Sequence, residues 1–486
     1  MDITLRRDLK TPYYAQIATQ IRARIITKDL TDGAVLPSER QMAARLGVHR
    51  NTVIRAYKEL QDAGLIEPKQ GMGYVVTLPQ AKQEGSRHGK VNWAQMLKNE
   101  YIDAERTFDE LFSQSFSEDI ISFAAGMPEQ GVYSPKDLTR ALESAMEQGK
   151  RGQYYFSPYQ GSMELRKDIC AFLRERGIKA NPSEIQIFFE LNQAMDFLTA
   201  LLLRPGDTVI TEEPVSPDIY RTFDMAGVSQ ISVPMDRNGM FCDNLDSIIE
   251  KYNPKLIHVS SSFHDPTGSI LSFERRKKLI EISREYRIPI IEDDAASLLD
   301  YGGLGNPPVK ALDRDGNVIY IYSFELTFIP GLNVTFVLAP KEITQALGYL
   351  VSLRLMKLEA IPQKVLETFL KDGTYYKAVD RMRRDYAAKR DIMHAMIEEA
   401  QIEGFHAQKP DGGVYLWCHI PDGIDIEKLS KIAIARGVSF IPGKVFYRSG
   451  KQQDNYIRLN YSSPSKAEIS KGMEILTGTI RELMKK

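Results

Sequence analysis

Three cysteines among 486 residues are too few to organise a fold. Cys170, Cys242 and Cys418 are odd in number and far apart, so they give neither a disulfide framework nor a metal pattern. They fit a reducing cytoplasm, the expected location. No run of about 18 apolar residues occurs, which excludes a transmembrane helix. The opening residues MDITLRRDLK lack an apolar stretch, so no secretory signal is expected. An excess of one charge is missing as well, with 63 Lys and Arg against 64 Asp and Glu. What is present is 43% hydrophobic and 26% charged residues, close to the soluble globular average and ample for a sizeable core. At roughly 100–200 residues per domain, the length suggests about three domains, or one large fold with an appendage.

The neutral total hides an asymmetry. Residues 1–78 carry 12 Lys and Arg against 8 Asp and Glu, and the rest carries 51 against 56. A small basic head on a larger acidic body points to a nucleic-acid-binding module at the front. The pattern agrees. Tyr13, Ile17, Ile21 and Ile25 recur every fourth position, one face of an amphipathic helix. Gly33 and Pro37 break the chain. Ser38, with Gln41 three residues on, opens a second helix in the manner of a capping box, and Gly47 ends it. HRNTVIRAYKELQDAG gives a third helix, with Val53, Tyr57 and Leu60 inward, Ile54 alongside and Gly64 closing it. LIEPKQGMGYVVTL reads as two short strands around Gly71 and Gly73.

That order describes a winged helix-turn-helix (α+β). His49, Arg50, Asn51 and Thr52 begin the second helix of the pair, where side chains reach base edges in the major groove, and Arg55 lies one turn on. Arg can bond guanine bidentately and Asn can bond adenine. Lys69 and the glycine turn would form a wing against phosphate. Through nearly all of residues 10–78 this head resembles the DNA-binding domain of GntR-family bacterial regulators. The resemblance implies contacts to double-stranded operator DNA from Ser38, Arg40, Arg50, Thr52 and the wing from Lys69 to Gly71. Residues 79–92 are polar, contain Pro and Gly, and read as a linker.

From residue 93 to 486, helical patterns alternate with β-rich runs such as DTVITEE, KLIHVSSS, IPIIEDD and NVIYIYSF. This predicts an α/β body with a largely parallel sheet, and a smaller α+β subdomain over about residues 404–486. Ligands bind such sheets at the C-terminal ends of strands, where Asp265, Asp293, Asp294 and Ser323 fall. The body resembles fold-type I aminotransferases, the PLP-transferase fold, over almost all of residues 118–465. The marks include YYFSPYQGSMELR, LLRPGDTVITEEP, HDPTG, IIEDDAA and IRLNYS. A GntR head on such a body is similar to the MocR subfamily. That resemblance implies pyridoxal phosphate (PLP) as cofactor, an amine or amino-acid effector, and a head-to-tail homodimer formed through the bodies.

Residue by residue, the resemblance breaks at the cofactor. Where the family has a segment like S-F-S-K-T-L-A-P-G-L-R, this chain has SFELTFIPGLN, so Leu326 stands at the position of the Schiff-base lysine and Glu325 at the preceding serine. The family's phosphate-binding arginine falls on Asn333. Its G-S-Q-Q-A appears as ELNQA, which puts Glu190 and Leu191 where a phosphate is held. The ring-side tyrosine is Ala295 and the stacking aromatic is Ser216. Asp293, Ser323 and Arg458 survive, matching the pyridine-nitrogen acid, a phosphate-cup hydroxyl and the arginine for a substrate or effector carboxylate. PLP chemistry needs the lysine, the acid and the cup together. The expectation is therefore a transcriptional regulator, not an enzyme, without covalently held PLP. Its body would be a ligand sensor or a dimerisation scaffold. The alternative is a PLP-binding MocR regulator, or an aminotransferase holding PLP non-covalently. Glu190 and Glu325 would favour a cationic or hydrogen-bond-donating effector.

Overall fold

The computed structural model describes residues 3–5, 11–27, 29–77, 93, 107–113, 117, 119–147, 157–303, 305–448 and 455–485. The chain divides into two compact units, Met1–Met96 and Leu97–Lys486. The linker expected at 79–92 and the boundary expected at 78 lie outside the described residues.

In the first unit, α1 (Tyr13–Ile26), α2 (Glu39–Leu46) and α3 (Arg50–Asp62) precede an antiparallel hairpin of β1 (Ile66–Lys69) and β2 (Gly73–Val76). Ile17, Ile21 and Ile25 of α1 pack with Val53, Ala56, Tyr57 and Leu60 of α3 in one apolar core. Ser38 caps α2 with both bonds of a capping box, and Gly47 ends it in the left-handed region at φ +62°. The Tyr57 hydroxyl donates to the Pro37 carbonyl at 2.8 Å and pins the turn before α2. Tyr13, expected on the inward face of α1, stands outside it at 37% exposure, and Ile54, expected alongside the inward face of α3, is 36% exposed. Tyr13 is the first residue of α1, beyond the turn that packs on α3. Ile54 follows Val53, and one residue turns a helix by about 100°, off the buried stripe.

The second unit carries β3 (Ile121–Ser122) and β4 (Ile185–Phe188). After them come β5 (Thr208–Glu213), β6 (Ser229–Asp236), β7 (Gly239–Met240) and β8 (Leu256–Ser260). Then follow β9 (Ile290–Asp293), β10 (Val318–Ser323) and β11 (Thr335–Leu338). Among the described residues β4 to β11 build an eight-stranded sheet in the order β4-β11-β10-β9-β8-β5-β6-β7. The pairings of β10, β9, β8, β5 and β6 are parallel. The edge pairings through β11 and β7 are antiparallel. Every residue of β10 is buried, as expected for a strand covered on both faces.

A smaller antiparallel sheet joins β12 (His406–Ala407), β13 (Tyr415–His419), β15 (Ile441–Pro442) and β16 (Tyr456–Asn460) in the order β12-β13-β16-β15. The strand β14 (Val438–Ser439) pairs parallel with β3, so residues 121–122 belong to this part of the fold. The helix Thr374–Glu399 packs on both parts: its Tyr375 and Val379 lie in the core of the large sheet, and its Met382, Met393 and Ile397 share an apolar cluster with Leu429, Met473 and Ile480. Among the described residues no helix is long and apolar enough to cross a membrane.

Candidate functional site

On the head, the candidate DNA-binding residues surround the start of α3. His49 is the N-cap of α3, and its Nδ1 accepts the Asn51 amide at 3.2 Å. That bond puts the ring proton of a neutral His49 on Nε2, facing outward from the cap. Ser38 is committed to the α2 cap through Gln41. Arg50 Nη2 lies 2.7 Å from Glu39 Oε2, tying the two helix starts together. The Arg55 guanidinium sits 3.8 Å above the Tyr14 ring. Arg40, His49, Arg50, Asn51 and Arg55 are exposed, and Thr52 is half-buried. On the hairpin, Lys69 lies 3.6 Å from Glu67, and Gly71 takes φ +81°, which a side chain rarely tolerates.

In the body, strand ends and helix starts converge on a cavity of about 430 Å³. Asp293 comes from the end of β9, and Glu325 and Leu326 follow β10. Glu190 is the N-cap residue of α5 and Ser216 that of α6, where α4 is Thr107–Ser113, α5 is Leu191–Leu202 and α6 is Pro217–Met225. Neither side chain caps its own helix. Leu191 and Ala295 line the same wall, as does Arg458 of β16. No lysine lines it.

Two expected site residues do not reach this wall. Ser323 is fully buried, accepting from Asn333 Nδ2 at 3.3 Å and Thr335 Oγ1 at 3.0 Å. It is a buried link and not a hydroxyl open to a ligand. Asn333 is 1% exposed and also donates to Glu190 Oε2 at 3.1 Å. The start of α5, which would attract an anion through its free N–H groups, thus faces a carboxylate of its own chain.

Arg458 differs from its expected role too. Its Nη1 lies 2.6 and 2.7 Å from the two carboxylate oxygens of Asp265, and its Nη2 donates to the Ala124 carbonyl at 2.7 Å. The guanidinium is stacked 4.1 Å over the Tyr415 ring. Tyr415 approaches so closely because residue 126 is glycine; a Cβ there would lie 2.1 Å from the tyrosine oxygen. Burial works against the Arg458 charge, but Asp265 and Tyr415 outweigh it and raise its pKa. An incoming carboxylate would have to displace Asp265.

Asp218, in the first turn of α6, was not anticipated, and it adds another acid to the wall. Burial raises the pKa of Asp293, Glu325, Glu190, Asp218 and Asp265. Asp293 is pushed up to about 7, with Asp294 and Asp265 adding to the effect. Glu325 is pushed up to about 8, with Glu190, Asp293 and Asp218 adding. Glu190 and Asp218 are raised, and Asp265 stays raised although Arg458 opposes it. The neighbouring Asp294 belongs to the core, held by Arg176 at 2.5 Å and by the Tyr320 hydroxyl at 2.8 Å. His264 is buried and kept neutral, its pKa lowered by burial to about 3. No cluster of His, Cys, Asp and Glu suited to a metal ion occurs among the described residues.

Comparison with known proteins fits both halves. Residues 13–76 match the bacterial regulatory proteins of the gntR family, and residues 118–476 match aminotransferase class I and II. The HTH-type transcriptional regulator YdfD of Bacillus subtilis is 27% identical, covering 98% of this chain and 97% of its own. The probable rhizopine catabolism regulatory protein MocR of Rhizobium meliloti is 27% identical, covering 93% and 90%. Among solved structures, a Pyrococcus horikoshii kynurenine aminotransferase superposes with a TM-score of 0.75 at 27% identity, covering 81% of this chain and 98% of its own. The chain belongs to the aminotransferase class I and II family and, with its gntR-type head, to the MocR subfamily of regulators.

Proposed function

We propose that this chain is a DNA-binding transcriptional regulator whose aminotransferase-like body has given up the covalent link to PLP and responds to another ligand. The observation that carries the reading is the cavity wall, which among the described residues offers Leu326 and no lysine, and sets Glu190 at the helix start where an anion would otherwise sit. PLP needs an amine to bond its aldehyde and donors for its phosphate. These residues do not fit it. No step through PLP is therefore assigned to the body.

The head, residues 1–78, would read operator DNA through His49, Arg50, Asn51, Thr52 and Arg55. Ser38, Arg40, Lys69 and Gly71 would lie against phosphate. The body, residues 93–486, would form a homodimer, which supplies two heads to a two-fold operator. Exposed Tyr349, Leu353, Met356 and Ile361 support a body surface that meets another chain. Regulation requires that the ligand bind two arrangements of the dimer unequally.

The test is an absorbance spectrum of the purified protein with and without PLP, followed by borohydride reduction and intact mass. The expected result is no new band and no added mass, alongside operator binding with a steep salt dependence. A PLP adduct trapped on one lysine would overturn the loss of the covalent link.

A further inference from the structure

We propose that the body's cavity binds an aliphatic cation with two or more ammonium groups, a diamine or polyamine, in place of an anionic cofactor. This rests on the reading of the body as a ligand-responsive unit without covalent PLP. Among the described residues six carboxylates line the cavity: Asp109, Glu190, Asp218, Asp265, Asp293 and Glu325. Asp265 is neutralised by Arg458, and Asp109 is paired with Arg221 at 3.1 Å. Glu190, Asp218, Asp293 and Glu325 are in no ion pair among the described residues.

These four acids come from four separate places in the chain, and Glu325 feels the other three. Burial and then Glu190, Asp293 and Asp218 raise the pKa of Glu325, so the carboxyls converge on one volume. A structural acid in a core is often satisfied by a cation of its own chain, as Asp294 is by Arg176. Among the described residues no cation pairs with Glu190, Asp293 or Glu325, and Asp218 has only the opposing field of Arg221. Asp293 accepts only the Ala295 amide, through Oδ1, and its Oδ2 has no partner among the described residues. Buried polar groups left open in a cavity mark the place of a polar ligand.

Charge decides the sign of that ligand. A phosphate would add negative charge among four unpaired carboxylates, whereas an ammonium group brings three donors and the opposite charge. The remaining wall decides its shape. Leu191, Ile219, Leu326 and Val414 supply apolar surface between the acids, suited to methylene groups. A volume of about 430 Å³ lies within the usual range for small-molecule sites. Two spaced cations also match the acids better than one, since a single charge leaves most of the repulsion in place.

The experiment is isothermal titration of the full chain with 1,4-diaminobutane, 1,5-diaminopentane and spermidine, beside 1-aminobutane, inorganic phosphate and PLP. The diamines or spermidine should bind about tenfold or more tighter than 1-aminobutane, and phosphate should be silent. Binding should release protons near neutral pH, because partly protonated carboxyls must ionise to meet the cation. Glu325→Gln and Asp218→Asn should each weaken diamine binding about tenfold. Both should raise the melting temperature of the ligand-free protein, since each removes repulsion. A merely misfolded variant would lose both affinity and stability, so the opposite signs separate the two causes. Diamine affinity unchanged in both variants, or phosphate and PLP binding where the amines do not, would overturn the proposal. Specific operator binding with silent amines would remove the polyamine assignment and leave the regulator. Absence of any specific DNA binding would remove the regulator reading instead.

Discussion

Arg458 and Asp265 face each other with both carboxylate oxygens within 2.7 Å of one guanidinium nitrogen, Nη1. The arginine that the family resemblance assigns to an incoming carboxylate is thus satisfied from within the chain. Arg458 is 1% exposed, so removing its partner leaves a buried charge uncompensated, a change that typically costs about 3 kcal/mol or more. Asp265→Asn should therefore lower the melting temperature. A variant as stable as its parent would remove Asp265 as the counter-charge of Arg458.

On the head, Arg50 holds Glu39 at 2.7 Å while half of its own side chain stays exposed. Surface pairs of this kind contribute about 0–1 kcal/mol, so Arg50→Ala should barely move the melting temperature. Its effect on DNA should be larger. A lost bidentate base contact costs about 1–3 kcal/mol, roughly tenfold to a hundredfold in operator affinity. Glu39→Ala supplies the control, since it frees Arg50 and should preserve or tighten binding. Gel-shift titrations at two salt concentrations read both effects. Unchanged affinity in Arg50→Ala would take Arg50 out of the interface.

The acids of the cavity give the ligand-free body a pH dependence of fixed sign. Glu325 is raised by burial and by Glu190, Asp293 and Asp218 to about 8, and Asp293 by burial to about 7. A carboxyl whose folded pKa lies above its unfolded value binds more protons when folded. Its contribution is fully present below the unfolded value, near 4, and is lost as pH rises through the folded value. Stability should fall from about pH 5 to about pH 8.5. Glu190, Asp218 and Asp265 share the upward shift, Arg458 opposes it only at Asp265, and buried Glu212 acts in the same direction at about 8. The informative quantity is therefore a difference. Glu325→Gln should show a shallower decline, with a melting temperature about 1 °C or more above the parent at the alkaline end. Parallel curves for the two proteins would mean that Glu325 is not a titrating group of this cavity.

What could be read from the sequence divides by the range of the interaction. Ser38 with Gln41, and Gly47 at the end of α2, are signals within a few residues, and the structure realises them as a capping box and a left-handed cap. Glu190, Ser216, Asp293, Glu325 and Leu326 were legible because each stands at a strand end or helix start inside a matched segment, and the fold brings all five to one wall. The pairings among such groups were not. Asp265 and Arg458 are 193 positions apart, and Glu190 and Asn333 are 143 apart. Strand order sets those neighbours, and no local pattern encodes it. For the same reason Ser323 reads as a pocket hydroxyl in sequence and lies behind the wall in space, held by Asn333 and Thr335 from the next strand and its approach.

Leu326→Lys tests how far the site has moved from its relatives. Leu326 is 8% exposed on the cavity wall, so a lysine placed there would project among Glu325, Asp293, Glu190 and Asp218. To bond an aldehyde it must be unprotonated, which a desolvated pocket ordinarily favours by lowering its pKa. Here the surrounding carboxyls act the other way and hold the ammonium form as an ion pair. The helix start that should take the PLP phosphate remains covered by Glu190 and Asn333. The variant should therefore gain little or no mass on reduction with borohydride in the presence of PLP, and transamination should stay at background. It should instead bind diamines more weakly, because the new ammonium group occupies their place. Combining it with Glu190→Gly and Glu325→Ser removes both obstacles at once, and PLP labelling should rise in that triple variant above the single one. Efficient labelling of Leu326→Lys alone would mean that the carboxylates do not control the site.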